Sequence, residues 1–133
     1  MSDSPRKILI AEDNPGLARV LSFKFKASGF FPVTCADGQL AWEAFQNDDF
    51  AAVIRDQEMP RMTGIELCRS IRQQHPKLPF FLVTGRQLEL AGTGIVEELN
   101  MTECFAKPFS PGNVVSAVEA AIVQHAECEA AVP

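Results

Sequence analysis

The sequence is poor in the features that mark several large function classes. No apolar run approaches the ~20 residues that a membrane-spanning helix requires, which excludes a span of that kind. Positive charge is scarce: 12 Lys and Arg stand against 17 Asp and Glu, the net charge is -5, and the nearest thing to a basic cluster is Arg6-Lys7. Gripping a phosphate backbone takes several clustered cations, so direct nucleic-acid binding is not expected. The N-terminal Met1-Ser2-Asp3-Ser4-Pro5 has neither the basic nor the apolar stretch of a signal peptide, and the expected compartment is the cytoplasm. Histidine is limited to His75 and His125, and the cysteines at 35, 68, 104 and 128 form no Cys-x-x-Cys pair, so zinc-type ligand spacing is missing. In a reducing compartment these cysteines are expected as free thiols that pack as small apolar residues. None has an evident neighbour to activate it as a nucleophile. Internal repeats, low-complexity tracts and linkers are also missing.

What is present fits one globular domain. The 133 residues are 47% hydrophobic and 22% charged, which excludes disorder as the main state. A chain of this size buries roughly two thirds of its unfolded surface, enough to fold without staples. A single domain over 1–133 is expected, with a core at about 6–125 and a frayed tail at 126–133.

Short apolar runs alternate with amphipathic stretches. Lys7 to Ala11 reads as a buried strand, and Asn14-Pro15 opens a helix, with Asn14 as cap and Pro15 where its missing N–H is no loss. Leu17, Val20, Leu21, Lys24, Phe25 and Ser28 would share one face of it, and Gly29 would stop it. Phe30 to Cys35 reads as a second strand, placed at a sheet edge by Pro32. Asp37-Gly38 starts a second helix carrying Leu40, Ala41, Ala44 and Phe45, and Phe50 to Ile54 is a third strand. Thr63 and Glu66 form a capping box for a third helix with Ile65, Cys68 and Ile71. Pro79 to Val83 is a fourth strand. Gln87 to Asn100 predicts a short or broken helix, because Gly92-Thr93-Gly94 interrupts it at about 1 kcal/mol per Gly. Glu103 to Ala106 is a fifth strand, and Ser110-Pro111 caps a fifth helix with Val114, Val115, Val118, Ala121, Ile122 and His125 as its stripe. Phe23, Phe30, Phe31, Phe45, Phe80 and Phe81 are expected as core or helix–sheet packing. Five strands alternating with five helices predict an α/β, doubly wound parallel sheet with helices on both faces.

Ligand sites of such sheets lie at the carboxyl ends of the strands. Glu12 and Asp13 follow the first strand there, Asp56 the third, Thr84 the fourth and Lys107 the fifth. If the first and third strands are neighbours, these three carboxylates converge and repel one another, and a hard divalent cation with oxygen ligands relieves this; Mg²⁺ fits. A lysine and a hydroxyl beside them complete an inventory for phosphoryl transfer onto a carboxylate.

The segments Ile8-Leu9-Ile10-Ala11-Glu12-Asp13-Asn14, Asp56-Gln57-Glu58-Met59-Pro60-Arg61-Met62-Thr63-Gly64, Leu82-Val83-Thr84-Gly85 and Phe105-Ala106-Lys107-Pro108-Phe109 together resemble the receiver domain of two-component response regulators. The resemblance spans about residues 6–125 and implies a flavodoxin-like five-stranded sheet in the order 2-1-3-4-5. It also implies that Asp56 is the phosphoacceptor and that Glu12, Asp13, Asp56 and the backbone carbonyl of Glu58 hold Mg²⁺. Lys107 would pair with the phosphoryl group, and Thr84 and Phe105 would be the switch residues. Glu58 and Arg86 would flank the phosphoryl group and tune its lifetime by pairing across the site mouth. The implied partners are a histidine kinase or phosphotransfer protein and a downstream protein target. The implied output surface is the fourth helix, fifth strand and fifth helix, which would also serve a weak dimer if the chain is not a monomer. The chain would act as a stand-alone receiver, or as a piece of a longer protein, and not as an enzyme on other substrates, catalysing only its own phosphorylation and dephosphorylation. The alternative is a phosphorylation-independent interaction module on the same fold. A phosphatase with an aspartate nucleophile would carry a second Asp where Glu58 stands, and a flavin site would want a Ser/Thr/Gly-rich loop where Glu12-Asp13-Asn14-Pro15 stands. Arg55, at the end of the third strand, is expected to reach solvent, with no role assigned.

Overall fold

The structure is a computed structural model and describes residues 6–57 and 63–131. Its strands are β1 (Lys7–Ala11), β2 (Phe31–Cys35), β3 (Ala52–Asp56), β4 (Phe80–Thr84) and β5 (Glu103–Ala106). They form one parallel sheet in the order β2-β1-β3-β4-β5. The helices are α1 (Pro15–Ala27), α2 (Gly38–Asn47), α3 (Gly64–Gln74), α4 (Gln87–Ala91), α5 (Ile95–Glu98) and α6 (Pro111–Ala131).

Side chains alternate across the strands and create two cores. Leu9, Val53, Phe80 and Leu82 face Ala41 and Phe45 of α2, Leu67, Cys68 and Ile71 of α3, and Ile95 of α5. Ile8, Ile10, Ile54, Phe81 and Val83 face Leu21 and Phe25 of α1 and Val114, Val118 and Ile122 of α6. The central strands β1, β3 and β4 are buried on both faces, which is why they read as continuous apolar runs. Pro32 lies in β2, which pairs with β1 alone, so the expected edge position holds.

The local signals act as expected at most termini. The Asn14 side chain accepts from the N–H groups of Gly16 and Leu17 at 3.0 and 3.2 Å. Gly29 takes φ +89° directly after the Ser28 cap, a conformation that favours glycine. Thr63 and Glu66 complete their capping box in both directions, at 3.1 and 2.9 Å.

Several details depart from the sequence reading. The interrupted segment is two short helices, α4 and α5, with Gly94 at φ +73° between them, so the described residues hold six helices and α6 is the fifth of the expected series. β3 runs two residues further than its apolar run, because Arg55 and Asp56 stay in register with Ala11 and Val83. The segment from 126 to 131, expected to fray, is helical, in keeping with the high helix propensity of its Ala and Glu residues. Val20, Phe23, Phe31 and Leu40 are exposed; the buried side of α1 is Ala18, Leu21 and Phe25. Arg55 is fully buried and does not reach solvent. Its strand position, one residue before the carboxyl end, directs the stem against α3 and under the site. Cys35, Cys68 and Cys104 form no disulfide with one another, and the side chain of Cys128 lies outside the described residues.

Candidate functional site

The order β2-β1-β3 makes the first and third strands neighbours, so the residues at their carboxyl ends meet. Ala11 pairs with Arg55, and one carboxylate oxygen each from Glu12, Asp13 and Asp56 lies within 4.8 Å of the others. Glu12 and Asp56 are buried, and Asp13 is exposed. Asp56 is the last residue of β3 itself, and its Oδ2 accepts from Lys107 Nζ at 2.5 Å. Lys107 follows β5 across β4, and the Lys107–Pro108 peptide bond is cis.

Glu12 is the strained member of the group. Burial pushes its carboxyl up to about 7, and the charge of Asp56 and a side-chain hydrogen bond with Asp13 add to this. The Asn14 N–H, which donates to Glu12 Oε2 at 3.0 Å, and the Lys107 ammonium act the other way. A carboxyl held half-protonated near neutrality beside two other acids is under-compensated by Lys107 alone. An all-oxygen donor set at this spacing, with an exposed side for water, fits a hard divalent cation such as Mg²⁺. The expected carbonyl ligand from Glu58 lies outside the described residues, as does the Glu58 side chain proposed to face Arg86. Arg86 itself is exposed and caps α4.

Thr84 ends β4 and is fully buried. Its hydroxyl accepts from the Arg86 N–H at 3.0 Å, and its carbonyl accepts from the Lys107 N–H at 3.0 Å, which ties the ends of β4 and β5 together beside Asp56. Phe105 is half-buried and stacks on Phe81, with ring centroids 6.0 Å apart and an interplanar angle of 18°. The structure therefore brings Glu12, Asp13, Asp56 and Lys107 together, sets Thr84 at the adjoining strand end and places Phe105 one strand away. A groove of about 420 Å³ runs from Glu12 and Asp13 along α1, past Arg19, to Thr34 and Ala36.

Two supporting residues were not singled out in the sequence. Gln57 Oε1 accepts the Ile65 N–H at 3.0 Å while its own N–H donates to Val83 O at 2.9 Å, fixing the first turn of α3 to the strand ends. Gly64, read only as part of a capping box, lets α3 sit directly on β4: an added Cβ would lie 2.4 Å from Leu82 Cδ1. A glycine in a first helical turn is the one visible signal; nothing about Gln57 announces its role.

A family model described as the response regulator receiver domain matches residues 8–119. The alkaline phosphatase synthesis transcriptional regulatory protein PhoP of Bacillus subtilis (strain 168) is 29% identical over 115 residues, which are 86% of this chain. The matched part spans 48% of that protein, so the chain covers about half the length of this relative. Among solved structures, a response regulator receiver domain protein from Clostridium thermocellum superposes with a TM-score of 0.83 at 21% identity, over 92% of this chain and 98% of that one. The receiver domain of the sensor histidine kinase PA1611 from Pseudomonas aeruginosa PAO1, solved with a magnesium ion in its active-site cleft, gives 0.78 at 24% identity over 90% and 98%.

Proposed function

The chain belongs to the family of response regulator receiver domains, and from that premise we propose that it is a phosphorelay switch whose phosphoacceptor is Asp56. The observation that carries the reading is the position of Asp56: buried at the carboxyl end of a central strand, in ion contact with Lys107 and within 4.8 Å of two further carboxylates. An Asp56 oxygen attacks the phosphorus of a phosphohistidine on a histidine kinase or phosphotransfer protein. The P–O bond forms as the P–N bond breaks, and the imidazole leaves with its electron pair and takes a proton from water. Glu12, Asp13 and Asp56, with the Glu58 carbonyl, would hold a Mg²⁺ ion, which supplies charge neutralisation on the phosphoryl oxygens. Lys107 exchanges its carboxylate partner for a phosphoryl oxygen, and the Thr84 hydroxyl donates to another. Water attack on phosphorus later releases phosphate and restores the carboxylate, so the only reactions catalysed are the domain's own phosphorylation and dephosphorylation.

The phosphoryl group carries about -1.5 to -2 in place of the carboxylate's -1, and that change in charge is the signal. Thr84 and Phe105 relay it to α4, α5, β5 and α6, the surface offered to a downstream protein target. The described residues include no helix long and apolar enough to cross a membrane, and the proposed setting is the cytoplasm. The test is intact-mass measurement after incubation with a small phosphodonor, with and without Mg²⁺, beside Asp56→Asn. A Mg²⁺-dependent phosphoryl adduct that the variant lacks is the expected result. No adduct on folded protein at saturating Mg²⁺ refutes the switch and leaves the phosphorylation-independent interaction module.

A further inference from the structure

Arg55 is the largest of the fully buried side chains, and its Nε, Nη1 and Nη2 are buried with no hydrogen-bond partner among the described residues. A guanidinium in that condition is costly, because its desolvation is not offset by direct pairing. Its surroundings do not explain it as a packing residue. The Arg55 stem lies against the first turn of α3, with its Cγ only 3.2 Å from where a Gly64 Cβ would stand. A helix N-terminus is the end that disfavours a cation. What does favour the charge is longer-range: Asp56, Asp13, Asp37 and Glu12, in that order, act against the loss of its proton that burial promotes. Three of those four acids are the carboxylate cluster at the strand ends.

We propose that Arg55 is a positioning residue of this site: a fixed internal cation that weakens the resting cluster's hold on a divalent metal ion and strengthens its hold on the phosphoryl group. The charge balance gives the direction. With every acid ionised, Lys107 alone would leave the Glu12, Asp13 and Asp56 cluster about two charges negative, and Arg55 removes one of these. A divalent ion entering the cluster then overshoots neutrality by about one charge, and a phosphoryl group of about -1.5 to -2, standing in place of the -1 of the Asp56 carboxylate, restores it. Arg55 therefore favours the loaded site, metal and phosphoryl group together, over the metal-only site. Arginine suits this role because it stays protonated where a lysine gives up its proton more readily.

The inference rests on the reading of the cluster as a Mg²⁺ and phosphoryl site, and the test separates the two. MgCl₂ is titrated into the full chain by calorimetry, and beryllofluoride, a stand-in for the phosphoryl group, is titrated at saturating Mg²⁺. Arg55→Met keeps the buried stem and removes the charge. One unit charge acting through partly solvated protein changes affinity for a divalent ion on the order of tenfold and for a monovalent anion about threefold. Arg55→Met is expected to bind Mg²⁺ about tenfold more tightly and beryllofluoride about threefold more weakly. The opposite signs are the diagnostic, since loosened packing would weaken both ligands. Unchanged affinities in folded Arg55→Met, or a loss of both, overturn the proposal while leaving the metal site standing. If neither the parent nor the variants bind Mg²⁺, the site reading fails and the proposal with it. Should Arg55→Met not fold, Arg55→Gln carries the same comparison.

Discussion

Glu12→Gln should make the metal-free protein more stable at neutral and alkaline pH. The variant keeps the size of the side chain and an oxygen to accept the Asn14 N–H, now 3.0 Å from Glu12 Oε2, and it removes the ionisation. The Glu12 carboxyl rises from 4.5 in an open chain to about 7 in the fold, chiefly through burial. Between those values the folded state binds the proton that the unfolded state has released, so stability falls as pH rises. The contribution is fully present below 4.5 and lost once pH passes about 7. At about 1.4 kcal/mol per pH unit, the whole window is worth about 3 kcal/mol as a ceiling. The assay is urea unfolding with a chelator present, at several pH values from 4.5 to 8, read by the fluorescence of Trp42, which stacks on Phe45 at 6.1 Å. The two proteins should have similar stability at the acid end and diverge to about 2–3 kcal/mol in favour of Glu12→Gln at pH 8. Saturating Mg²⁺ should then favour the parent, because only it keeps all three carboxylates. Parallel pH profiles for the two metal-free proteins would refute the reasoning.

Gly64→Ala places a methyl 2.4 Å from Leu82 Cδ1 and 2.9 Å from Gln57 Oε1, and should cost about 1–3 kcal/mol in denaturant unfolding. A stability equal to the parent would mean that α3 slides freely on β4. Arg72 donates to the carbonyls of Leu99, His75 and Asn100 at 2.7, 2.8 and 2.9 Å, so Arg72→Ala should lose about 2–4 kcal/mol and leave the α5–β5 turn unpinned. A loss under about 0.5 kcal/mol would contradict that role. Backbone amides of α4 and α5 should exchange with deuterium faster than those between Val114 and Ile122 in α6, because α4 and α5 have only 5 and 4 residues and bury little beyond Ile95. Protection equal to that of α6 would show the break at Gly92-Thr93-Gly94 to be rigid.

Much of this molecule was legible because its signals are local. A cap at Asn14, a capping box at Thr63 and Glu66, and a Pro in β2 each act within a few residues, and each operates as the sequence reads. The acidic site was legible for a different reason. Charged residues directly after buried runs must come out at the strand ends, and a parallel sheet gathers those ends on one edge. The same rule misplaced the end of β3. Its apolar run stops at Ile54, but parallel pairing with β1 and β4 carries the strand through Arg55 and Asp56. Exposed Phe23 and Phe31 mark the other limit: an aromatic in an amphipathic stretch reads as core, and only the phase of the helix or strand against its neighbours places it outside.

Arg55 was illegible because every local consideration points it outward. A charged residue near a strand end is ordinarily solvated, and burying one without a hydrogen-bond partner works against stability. Its position depends on three separated parts of the chain: β3, which sets the side chain's face; Gly64, which lets α3 close over its stem; and the acids after β1, beyond β2 and at the end of β3, whose combined field keeps the charge in place. No window of sequence contains them all. A residue that contradicts the local rules this strongly, beside a site that obeys them, marks a place where the fold has kept an unfavourable charge. Three of the four acids that act on it form the cluster at which charge would arrive and leave, so the cost of burying Arg55 falls where it can alter the electrostatics of the proposed switch.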